Sequence, residues 1–253
     1  MSIWGKVIGG VTGFAMGGPL GAIIGTAAGH AYDKMKAEDA GRFDDNATRQ
    51  VAFTTAVIVL SAKMAKADGK VTREEVDAFK ELFDIPPNEM KDVGLLFDEA
   101  KQDAQGFEPY AEQIARMFAH QPTVLEELLG GLIHIARADG VIHPEEVKFL
   151  RKTAMIFGFS ELQFERLKSI HMGGGQARGG AAPGAPDPYQ VLGLDRKASD
   201  AEIKKTYRQL IRENHPDTLI AQGMPQEFID VANEKMAAIN AAYDQVEKER
   251  GLK

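Results

Sequence analysis

Cysteine is absent from this 253-residue chain. That excludes disulfide scaffolds, thiolate zinc centres and cysteine nucleophiles, and it fits a reducing compartment. A local basic excess is missing as well. Net charge is −7, with 15 Lys/Arg against 22 Asp/Glu over residues 43–171. A general nucleic-acid binder would carry the opposite balance, so no nucleic-acid partner is expected. No nucleophile, base and orienting residue form a recognisable set, so the chain reads as not an enzyme, with no cofactor and no firm metal site. Charge of either sign is also missing for 23 residues, from Val7 to Gly29.

That uncharged run is the first feature with content. As a helix it would be roughly 35 Å long, enough to cross a bilayer core. Glycine recurs in register at Gly5, Gly9, Gly13, Gly17, Gly21, Gly25 and Gly29. On a helix these form a stripe without side chains, which lets a second helix approach closely in lipid. In water each such glycine would cost a helix about 1 kcal/mol relative to alanine. The expectation is a glycine-zipper transmembrane helix within an anchor at residues 1–35, touching lipid through residues 7–29 and pairing into a homodimer through the stripe. A cleaved signal, a Gly-rich soluble segment and a re-entrant hairpin broken at Gly17-Gly18-Pro19 are the alternatives. Trp4 and Tyr32 would mark the two interfaces, and Lys34, Lys36 and Arg42 lean the C-terminal side toward the cytoplasm.

Residues 43–171 read as helical, with apolar residues at three- and four-residue intervals. One stretch occurs twice, 71 residues apart: Ala65-Lys66-Ala67-Asp68-Gly69-Lys70-Val71-Thr72-Arg73-Glu74-Glu75-Val76 and Ala136-Arg137-Ala138-Asp139-Gly140-Val141-Ile142-His143-Pro144-Glu145-Glu146-Val147. Gly69 and Gly140 suit left-handed helix ends. Thr72 with Glu75 forms a capping box, while His143 takes the cap position before Pro144. The second half of an EF-hand loop is present in both copies. Its first two ligand positions are filled by Met64 and Lys66, and by Ile135 and Arg137, which removes the usual tight calcium site. The alternative left open is a weak divalent-cation site at Asp68, Glu75, Asp139 and Glu146. His134, His143 and His171 lack metal-ligand spacing and read as surface or satisfied helical residues. Two A-x-A-D-G-x-[VI]-x-x-E-E-V units in an acidic helical region resemble the TerB-like (tellurite-resistance) domain. The resemblance implies a helical bundle used for interaction or sensing.

Residues 172–186, MGGGQARGGAAPGAP, cannot bury a core and read as a flexible linker between two independently folding pieces, with a reach on the order of 20 Å. Beyond it, Asp187-Pro188-Tyr189-Gln190-Val191-Leu192-Gly193-Leu194 is a short helix stopped by glycine. Ser199 and Glu202 box the start of a second helix that runs to about Asn214. Its outer face carries Lys204, Lys205, Arg208 and Arg212. His215-Pro216-Asp217 interrupts it, and a third helix follows with Phe228, Val231, Met236, Ile239, Ala242 and Tyr243 turned inward, antiparallel to the second.

A basic helix, the His-Pro-Asp turn, the D-P-Y-x-V-L-G-L opening and Ile239-Asn240-Ala241-Ala242-Tyr243 together resemble the J domain of DnaJ-type co-chaperones, over residues 187–253. The resemblance implies a DnaK-type ATP-driven chaperone as partner. His215, Pro216 and Asp217 would trigger its ATP hydrolysis, and Lys204, Lys205, Arg208 and Arg212 would dock its acidic surface. The Gly/Phe-rich and zinc regions of full DnaJ proteins are missing. The order of glycine-rich anchor, TerB-like middle and terminal J domain resembles the DjlA-type membrane-anchored co-chaperones of bacteria. That implies an all-α, single-pass protein of the bacterial inner membrane with cytoplasmic domains, whose TerB-like part recruits clients or partners. The rival reading is a TerB-like metal or stress sensor, with the J domain as a tether.

Overall fold

A computed structural model describes residues 18–21, 45–68, 73–83, 85–102, 106–173, 187–222 and 224–252. Among them there are helices and turns but no strand, as the all-α reading requires. Helix α1 (Asp45–Asp68) is the axis of the middle region. Every residue from Ala52 to Ala65 is buried, because neighbours cover the helix on all sides. Helices α3 (Met90–Gln102), α4 (Glu108–Met117), α5 (Pro122–Ala136) and α6 (Pro144–Ile156) pack against it. Helix α2 (Arg73–Phe83) lies on α5, and α7 (Glu161–Gly173) lies on α5 and α6.

Local chemistry sets several boundaries. Pro122 and Pro144 open α5 and α6, positions where the missing N–H has no helical partner to lose. Gly140 adopts φ +92° after α5, as its place in the repeat predicts. His143 takes the cap of α6, and its N–H donates to Glu146 Oε2 at 2.8 Å. In the first copy, Gly69 and Thr72 lie outside the described residues.

Most of the expected anchor also lies outside them. The described turn at 18–21 sits on protein: Leu20 is fully buried, and its N–H donates to Gln113 Oε1 at 3.0 Å. Among the described residues no helix is long and apolar enough to cross a membrane. Of the expected linker, residues 174–186 lie outside the described part and Gly173 ends α7.

The C-terminal region holds α8 (Pro188–Leu192), α9 (Asp200–Glu213), α10 (Pro216–Ala221) and α11 (Gln226–Arg250). Asp200 pairs with Arg250, and Tyr207 stacks on Tyr243 with ring centroids 3.9 Å apart, so α9 and α11 run antiparallel. Their core gathers Tyr189, Leu192, Ile203, Leu210, Ile239 and Val246.

The two regions do not stand apart. Helix α11 is 25 residues long, and only its second half serves the C-terminal core. Its first half contributes Phe228, Ile229, Val231 and Ala232 to the core of the middle region, together with Leu219 and Met224. In return, α7 contributes Ile170 to the C-terminal core. Phe228 and Val231, expected to face inward within the C-terminal region, instead face the neighbouring bundle. The Phe228 ring meets Phe53 edge-on at 4.5 Å and Phe83 at 5.6 Å. It lies so close to α5 that a Cβ on Gly131 would come within 2.5 Å of it.

A buried ion cluster locks the same contact. Lys235, on α11, has a fully buried side chain and reaches Glu126 at 2.5 Å and Glu127 at 2.7 Å, both on α5. Arg166 joins Glu126 at 2.9 Å. Burial alone would raise the Glu126 pKa, but Lys235 and Arg166 hold it below the usual carboxylate value. For Glu127 burial prevails, and its pKa is raised. Burial works against the Lys235 charge as well, yet the two glutamates overcome it and keep the ammonium protonated. Beside them His171 is 3% exposed rather than a surface residue. Burial, reinforced by the Lys235 charge, lowers its pKa from 6.5 to about 3.

The folded His171 therefore stays neutral where the unfolded one takes a proton, and stability falls as pH drops below the unfolded value. His171 should cost the fold about 2 kcal/mol between pH 7 and pH 5, read from urea midpoints, and His171→Gln should flatten that slope. Lys235→Ala, which removes the ion-pair partner of buried Glu127 and leaves Glu126 to Arg166 alone, should destabilise by about 3–5 kcal/mol in the same titration.

Candidate functional site

The His-Pro-Asp turn is fixed from both sides. At the end of α9, Asn214 is buried and donates its Nδ2 to the Leu210 carbonyl at 2.7 Å. His215 then turns to extended backbone, with φ −66° and ψ 133°, and caps α10. Pro216 occupies the first helical position, which its ring geometry favours. Asp217 N–H donates to His215 Nδ1 at 3.2 Å, and Thr218 Oγ1 donates to the Arg212 carbonyl at 3.4 Å. On the inner side of α10, Leu219 is fully buried. Where the sequence pattern predicts a bare turn between two helices, α10 is an added short helix that anchors the turn.

What remains outside is polar. The side chains of His215 and Asp217 are 50% and 86% exposed. On α9, Lys205, Arg208 and Arg212 are exposed and Lys204 is half-buried. Lys204, Arg208 and Arg212 are spaced four apart and form one stripe along the helix. It ends three residues before the histidine. The structure thus lays the predicted basic residues along α9 and sets the tripeptide at the end of that helix.

Several supports were not foreseen. Arg250 donates to the Tyr189 hydroxyl at 2.9 Å, to the Ala198 carbonyl at 2.7 Å and to the Arg196 carbonyl. It ties the end of α11 to the loop that leads into α9. The Tyr207 hydroxyl donates to Asn240 Oδ1 at 3.0 Å, which fixes α9 against α11 beneath the basic stripe. Only the arginine just before the helix-ending Gly251 signals the first, as a C-terminal helix cation. The expected box at Ser199 is present, with its N–H donating to Glu202 Oε2 at 2.8 Å, and Gly193 ends α8 at φ +69°.

The candidate cation residues do different work. Asp139 Oδ1 accepts the Val141 N–H at 2.9 Å, and its other oxygen lies 3.4 Å from His143 Nε2. Glu146 is buried and caps its own helix. The side chains of Asp68 and Glu75 lie outside the described part. Among the described residues no three His, Asp or Glu side chains gather where they could hold a metal ion.

Residues 187–250 match the model of the DnaJ domain, residues 54–169 that of the tellurite resistance protein TerB, and residues 1–49 that of the transmembrane domain of co-chaperone DjlA. A co-chaperone protein DjlA of Photobacterium profundum is 33% identical over 279 residues, covering 99% of this chain and all of the relative. This chain belongs to the DjlA co-chaperone family. DjlA proteins of Coxiella burnetii and Vibrio vulnificus are each 31% identical, the first over 98% of both chains and the second over the full length of both. No solved structure matches. Membership makes the chain a membrane-anchored J-domain co-chaperone whose partner is a DnaK-type chaperone.

The role of Arg250 can be separated from that of the exposed tripeptide. Arg250→Ala should speed amide exchange in residues 188–199 at least tenfold, read by mass spectrometry, with little change in α5 or α6.

Proposed function

We propose that the J domain stimulates ATP hydrolysis by its DnaK-type partner, with His215, Pro216 and Asp217 as the trigger. The observation that carries the reading is the tripeptide itself, exposed in its side chains yet held in its backbone by Asn214, Pro216 and Leu219. A contact group presented in one conformation loses little entropy on binding. Asp217 is placed to pair with a cation of the partner, and the stripe of Lys204, Lys205, Arg208 and Arg212 steers an acidic surface toward it. The TerB region recruits clients or envelope-associated partners beside that site. The anchor places both at the cytoplasmic face of the inner membrane, where ATP is supplied. It meets lipid through residues 7–29 apart from the turn at 18–21, which sits on Gln113, and pairs with a second copy through the glycine stripe.

Three measurements test the parts. His215→Gln should abolish stimulation of the partner's steady-state ATPase while leaving the melting midpoint unchanged, since the side chain is half exposed; undiminished stimulation would sink the trigger. Arg208→Glu with Arg212→Glu should weaken apparent affinity more than tenfold at low salt and less at 0.5 M salt, where exposed charges are screened. Carbonate extraction should leave the full chain in the membrane pellet and release a chain lacking residues 1–35.

A further inference from the structure

A second apolar surface lies on the TerB region. A groove of about 250 Å³ opens between α1, α2 and α3 and is walled chiefly by Met64, Val76, Phe79, Met90 and Phe97. Its rim includes Gly94, exposed on α3, where an added Cβ would meet nothing within 4 Å. Ligand sites for drug-sized molecules run to about 300–1,000 Å³, so this volume suits one or two large apolar side chains. Methionine walls adapt their shape to varied partners.

Charge narrows the occupant. Helix α2 carries four acidic residues against two basic ones, and α3 three against two. Lys80, on the rim, is already 3.6 Å from Asp77. A fatty-acid carboxylate would meet an acidic surround, whereas an apolar segment flanked by Arg or Lys would be attracted. The groove is also continuous with the J-domain interface. The Phe97 ring lies 5.9 Å from Phe79, Phe79 lies 4.8 Å from Phe83, and Phe83 lies 5.6 Å from Phe228 of α11.

We propose that this groove binds an apolar segment of a non-native polypeptide, flanked by basic residues, and holds it on the body that carries the J domain. The inference rests on the co-chaperone reading above and names the site through which the TerB region would take a client. A client held there travels with the His-Pro-Asp turn and reaches the ATP-driven partner in the same encounter.

The test uses the full chain in phosphatidylcholine nanodiscs. The probe is a fluorescein-labelled nine-residue peptide with a Leu-Leu-Phe-Leu centre and flanking arginines, with empty discs as background. Anisotropy should show micromolar binding, weakened at least tenfold by Gly94→Leu, which places a side chain over the groove while raising helix propensity. Val76→Lys, at a partly exposed wall position, is the second variant and should weaken binding similarly. Both should keep the ATPase stimulation that His215→Gln removes. Unchanged peptide affinity in both variants would overturn the proposal. So would dodecanoate binding in place of the peptide, or concentration-dependent self-association that Gly94→Leu abolishes. Absence of any ATPase stimulation by the parent chain is a separate result and would count against the co-chaperone reading instead.

Discussion

Lys235 has no exposed surface and holds its ammonium between Glu126 and Glu127 of a helix more than a hundred residues earlier in the chain. A buried cation is costly unless its partners are close and well placed, and here they exist only while α11 lies on α5. The contact is therefore specific in a way that apolar packing alone is not. Around it Phe228 fills the space left by Gly131, and His171 lies against Gly130, which has equally little room for a side chain. Two adjacent glycines inside an apolar helix are what allow two side chains from outside to approach the α5 backbone.

The consequence for function is positional. Helix α11 belongs to two cores, so the J domain is carried on the bundle as part of one body. The face used for that docking is the N-terminal half of α11, with α10 pinned through Leu219. The face left free is the outer side of α9 and the tripeptide at its end. The proposed contact with an ATP-driven partner would thus use side chains that docking in cis leaves exposed. The aromatic series from Phe97 through Phe79 and Phe83 to Phe228 packs the groove and the docking helix into one continuous apolar layer.

Much of the local structure was legible because it depends on near neighbours. Gly140, Gly193, the Ser199–Glu202 box and the His143–Pro144 start are each decided within a few residues, as is the placing of the His-Pro-Asp turn after a basic helix. What was not legible depends on distant partners. Phe228 and Val231 fit the periodicity of a J-domain core as well as that of an interdomain face, and only tertiary packing distinguishes the two. Lys235 reads as one more exposed lysine until Glu126 and Glu127 are brought to it. His171 has no motif, since its burial follows from how α7 lies on α5. The adjacent Gly130 and Gly131 were the one sequence signal of close approach, visible as a costly pair in an otherwise apolar helix.

Because the chain has no cysteine, a pair of introduced thiols can be labelled without background. Spin labels at Lys148→Cys on α6 and Gln245→Cys on the distal half of α11, both exposed, report the distance between the two regions by double electron–electron resonance in the full chain. A J domain docked through Lys235 and Phe228 predicts a single narrow distance distribution that broadens when Lys235→Ala is added. A broad distribution in the parent chain, unchanged by that substitution, would contradict it.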